Sequence, residues 1–104
     1  MRDHLLAVFE IQSALAAGQY DRAADIAERR LGMTSLEAHG ARHMADMMPE
    51  GMQAIGTAMH HTASRFAVTA QEAAVTGDLS RALGARREII QQCVACDAGY
   101  RLVP

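Results

Sequence analysis

The sequence predicts an all-α protein: an antiparallel four-helix bundle of two helical hairpins joined by a partly helical crossover. Three observations predict it. Apolar residues recur at gaps of three and four along most of the chain, the spacing that lines one face of a helix. Half of the 104 residues are hydrophobic, yet only two Phe, two Tyr and no Trp occur. A core of Ala, Leu, Ile and Met is built from good helix formers and packs as close helices. Finally, Gly and Pro are sparse and fall between the periodic stretches, where helices stop. The length suits one domain over residues 1–104.

The first stretch, "RDHLLAVFEIQSALAA", sets Leu5, Phe9, Gln12 and Leu15 on one stripe, with Leu6 and Val8 broadening it. Asp3 charges or caps its start, and Gly18 ends it in the turn "GQYD". The second helix carries Ala23, Ile26, Ala27 and Leu31 at helical spacing. Gly32 stops it after Arg29 and Arg30, cations that suit the negative end of the helix dipole. Residues 32–49 form the crossover, with Ser35 or Thr34 able to cap a short helix and Pro49 ending it. From Pro49 a long helix is expected to about Thr76, with Met52, Ile55, Met59, Ala63, Phe66, Ala70 and Ala73 as its seam. Gly77 stops it and Asp78 caps the last helix, whose inner side is Ala82, Ala85, Ile89, Cys93 and Cys96, up to about Gly99. "AAGQYDRA" and "AAVTGDLSRA" echo each other as the turns of the two hairpins.

The formal net charge is -2 and no basic run occurs, so the expectation is no nucleic-acid partner. No apolar run reaches the roughly 18 residues of a membrane span, so no membrane span is expected. Asp3 and His4 interrupt the N-terminus at once, unlike a signal peptide. The chain is therefore expected in the cytoplasm, or in the periplasm after removal of a signal ahead of Met1. No catalytic constellation is visible: Ser, His and Asp are scattered, and no paired carboxylates share a cleft at foreseeable spacing. The chain is not read as an enzyme.

The motif with the most chemistry is "CVACDAGYR", Cys93 to Arg101. Cysteines at i and i+3 leave a helix on nearly the same side. Two small apolar residues in a helix seam is the plainest reading. A thioredoxin-like centre wants the pair at a helix N-terminus after a strand, and structural zinc wants two further ligands; neither suits this chain. A disulfide within the helix would strain the turn. Haem attachment through two thioethers remains, but it wants His as the next residue, and that residue is Asp97. Carboxylate is a hard anionic ligand that disfavours reduced iron.

The run "GDLSRALGARREIIQQCVACDAGYR" resembles the last helix of the class II c-type cytochromes, the cytochrome c-prime group. Gly77, Asp78, Cys93, Cys96, Tyr100 and Arg101 stand where that pattern has them, and Pro49, Glu50 and Phe66 are similar to the opening and inward aromatic of its third helix. The resemblance covers roughly the second half of the chain; the first hairpin fits in architecture alone. It implies a four-helix bundle carrying haem c at Cys93 and Cys96, with Arg101 near a haem propionate. A sixth ligand, if any, would come from the first helix, where Met1 and His4 are the candidates. Asp97 departs from the pattern at the iron ligand.

A second cluster, "HGARHMADMMPEGMQAIGTAMHH", holds four His and five Met. His39 and His43 are spaced i, i+4, so both imidazoles can share one metal. Thioethers of Met44, Met47, Met48 or Met52 are soft ligands suited to Cu(I). Met52 and Met59 also fall on the core seam, where Met fills space, and of His60 and His61 at least one should face solvent. Together these features lead to a periplasmic haem-binding or electron-transfer domain, its own haem attachment compromised by Asp97. The alternatives are a haem-free copper-binding bundle using His39, His43, Met44 and Met47, and a purely structural or partner-binding bundle. A redox partner protein, and a homodimer through an Ala-rich face, are the partners expected.

Overall fold

The computed structural model describes residues 2–35 and 50–99. Four helices account for almost all of them: α1 (Arg2–Ala16), α2 (Tyr20–Arg30), α3 (Glu50–Thr76) and α4 (Leu79–Gly99), with a 3-10 turn at Met33–Ser35 after α2. No strand occurs among the described residues. The architecture is the all-α four-helix bundle expected, two hairpins with α1 packed on α2, α2 on α3 and α3 on α4. Of the crossover, the 3-10 turn supplies the helical character that is described; Pro49 and the rest lie outside the described residues.

Each hairpin turn follows from its glycine. Gly18 has φ +73°, a left-handed conformation that costs other residues a Cβ clash. There its N–H bonds to the Leu15 carbonyl (3.0 Å) and that of Gln19 to the Ala14 carbonyl (2.8 Å), which closes α1 with a Schellman motif. Gly77, at φ +76°, closes α3 through one bond to the Ala73 carbonyl, 2.7 Å. Asp78 then caps α4: its Oδ1 accepts from the Arg81 N–H at 3.2 Å, satisfying one of the donors a helix start leaves open.

The core is built from small side chains. Ala7, Ile11, Ala14 and Leu15 of α1 meet Ala23, Ala24, Ala27 and Leu31 of α2 and its end. From α3 come Met59, Ala63, Phe66, Ala67, Ala70 and Ala73, and from α4 Ala82 and Ile89. The seams expected for α2, α3 and α4 are those that face inward. The stripe expected for α1 is not. Leu5 and Phe9 are 56% and 64% exposed, Gln12 is exposed, and of that stripe only Leu15 is buried. Helix separation depends on the side chains at the contact. A face of Ala7, Ile11 and Ala14 lets α1 settle closely on the alanines of α2, whereas Leu5 and Phe9 would hold the axes apart.

Polar contacts bind the same helices. Arg30 at the end of α2 reaches back to Asp3 (3.0 Å) and Glu10 of α1. Arg86 of α4 donates to Gln12 Oε1, joining the last helix to the first.

The imidazole and thiol end of the bundle

Both hairpin turns lie at one end of the bundle, and among the described residues His4, His60, Cys93 and Cys96 lie toward the other. His4 stands in the first turn of α1 and Leu31 just past the last turn of α2. At 1.5 Å per residue, His60 is about 24 Å along α3 from the second turn, while Cys93 and Cys96 are about 21 and 26 Å along α4 from it. Sequence positions far apart thus share one level.

Cys93 and Cys96 are free thiols, both half-buried. Cys93 rests against the hydrophobic core. Its thiol is held above the ordinary range, first because burial penalises the thiolate and next because Cys96 lies beside it. Asp97, one residue further round the helix, is exposed. The expected side-by-side thiols are therefore present, and the Asp97 carboxylate lies out in solvent. Arg101 and Tyr100 lie outside the described residues, as do Met1, His39, His43, Met44, Met47 and Met48.

The histidine pair at 60 and 61 divides as its spacing on a helix requires: His61 is exposed and His60 is 8% exposed. His60 Nδ1 lies against the Leu31 carbonyl. A carbonyl only accepts, so Nδ1 carries the hydrogen and donates it. The His4 ring stands edge-on to the His60 ring, with centroids 6.0 Å apart and planes at 89°. This pairing was not foreseen. The residues are 56 positions apart, and nothing in either local pattern links them.

A second unforeseen arrangement ties α2 to α3 just beside this end. Glu28 accepts from Thr34 Oγ1 (2.6 Å) and from Ser64 Oγ (2.7 Å). Ser64 Oγ in turn accepts from the Met33 N–H at 3.0 Å. These bonds, that of Thr34 first and that of Ser64 next, hold the Glu28 carboxyl below its usual range. At the opposite end, a hollow of about 170 Å³ is lined by Glu10, Ser13, Ala14, Gln19 and Arg22. It is smaller than the 300 Å³ or so at which ligand pockets begin.

Among the described residues, no three His, Cys, Asp or Glu side chains group closely enough to hold a metal ion, and no helix is long and apolar enough to cross a membrane. Compared with known proteins, the chain matches no family model, no curated protein and no solved structure.

Proposed function

We propose that this is a periplasmic electron-transfer domain of the class II c-type cytochrome kind, with haem attachment at Cys93 and Cys96 weakened by Asp97. One observation supports the reading above the others. Two free, half-buried thiols sit one turn apart near the end of the last helix of a four-helix bundle, with Cys93 resting on its core. That is where thioethers to a porphyrin edge would be made, so the two thiols fit the group. Asp97 does not fit as the iron ligand: it is exposed, and a carboxylate disfavours the reduced metal. Haem held here would supply a one-electron iron couple. The chain's own part would be to anchor it with Cys93 and Cys96 and to shield it with the apolar core; the resemblance implies Arg101 for a propionate. A redox partner and a second copy of the chain are the partners this reading expects.

The test is to express the chain with a cytochrome c maturation system, beside an Asp97→His variant. The expected result is little or no covalent haem on the parent chain. The variant should show a strong Soret band and a haem mass increment that survives denaturation. An Asp97→His protein that folds but stays colourless would remove the reading.

A further inference from the structure

We propose that His4 and His60 form a binding site for a borderline divalent transition metal, such as Zn(II), separate from the cysteine pair. Imidazole nitrogen is a good ligand for such ions. The two rings come from different helices, α1 and α3, and meet with centroids 6.0 Å apart. With metal–nitrogen bonds of about 2.0–2.1 Å, two imidazoles on a tetrahedral ion hold their centroids about 5 Å apart, and on a linear one about 6.4 Å. The observed separation lies within that range. The rings now meet edge-on with planes at 89°, so a tetrahedral ion needs the His4 side chain both to turn a nitrogen toward His60 and to close by less than about 1 Å. His4 is half-exposed in the first turn of its helix.

His60 has the outer contact that metal-ligating histidines need. Such residues give their second ring N–H to a carbonyl or carboxylate, which fixes the tautomer and aims the ligating nitrogen. Here the Leu31 carbonyl takes the Nδ1 hydrogen, so Nε2 is the ligating atom. The same contact pins the ring to the end of α2, and burial among core residues keeps it from turning. His4 then opens the site to solvent, and water completes the coordination. Metal binding replaces the present contacts of the two ring edges, so it is a modest-affinity site. An ion here would clamp α1 to α3.

Histidine-ring 1H–15N spectra of the full chain, recorded while Zn(II) is added beyond the two thiols, test the assignment residue by residue. The expected result is that His60 Nε2 and one His4 ring nitrogen shift together, with His61 unmoved. In a His4→Gln variant with unchanged helical circular dichroism, the zinc concentration needed to move His60 should rise at least about tenfold. Zinc taken up at Cys93 and Cys96 with both rings unmoved would overturn the site. So would a His60 response of equal strength in His4→Gln.

Discussion

Glu28 does two jobs with one carboxylate, and Gly32 is what leaves room for it. A Cβ at Gly32 would stand 2.8 Å from Ser64 Oγ and 2.8 Å from Glu28 Cδ, closer than real Cβ atoms approach anything. Its N–H bonds to Ala27 and Glu28 carbonyls, and its φ is not among the positive ones. The glycine expected as a helix stop is therefore a packing glycine, set between a carboxylate and a hydroxyl. The charge on Glu28 matters in its own right. Its folded-state pKa is depressed, so the unfolded chain binds the proton more readily. The resulting stability is present above the unfolded value of about 4.5 and is lost as pH falls through the folded one. Glu28→Gln should therefore be less stable than the parent at neutral pH, with the gap closing as pH falls below the ordinary carboxylate range. Urea midpoints across that range measure it; a gap independent of pH would mean the carboxylate charge is irrelevant.

At the scale of the helix, α1 shows where a sequence misleads. It carries two apolar stripes, one large (Leu5, Phe9) and one small (Ala7, Ile11, Ala14), and a count of hydrophobic bulk favours the wrong one. In α3 and α4 the register of Phe66, Met59 and Ile89 leaves only one possible inner face, so their seams were legible. The glycine turns and the Asp78 cap were legible for a similar reason: each rests on local backbone chemistry. The consequence for α1 is a clear inversion. Ile11→Ala should cost roughly 2–4 kcal/mol, the usual loss from emptying a core site. Phe9→Ser should stay within about 0.5 kcal/mol, as for an open surface position. Chemical denaturation of both variants decides it, and equal losses would return Phe9 to the core.

Taken as a whole molecule, the bundle assembles chemistry that no local stretch contains. The cysteine pair announced itself by spacing, because i and i+3 share a face on any helix. The His4 and His60 pair and the Glu28–Ser64 bond depend instead on which helices lie side by side, information that only the folded arrangement holds. The scarcity of bulk in the interior has a further thermodynamic effect. Among the described residues, ten of the sixteen buried apolar ones are Ala, so unfolding releases little hydrocarbon to water for each residue freed. The heat-capacity increment on melting should then fall below the usual 12–15 cal/mol/K per residue, and scanning calorimetry reads it directly. A small increment flattens the stability curve. The chain would gain little from cooling and lose little on moderate warming, its folded population held nearly level across the temperatures at which a cell lives.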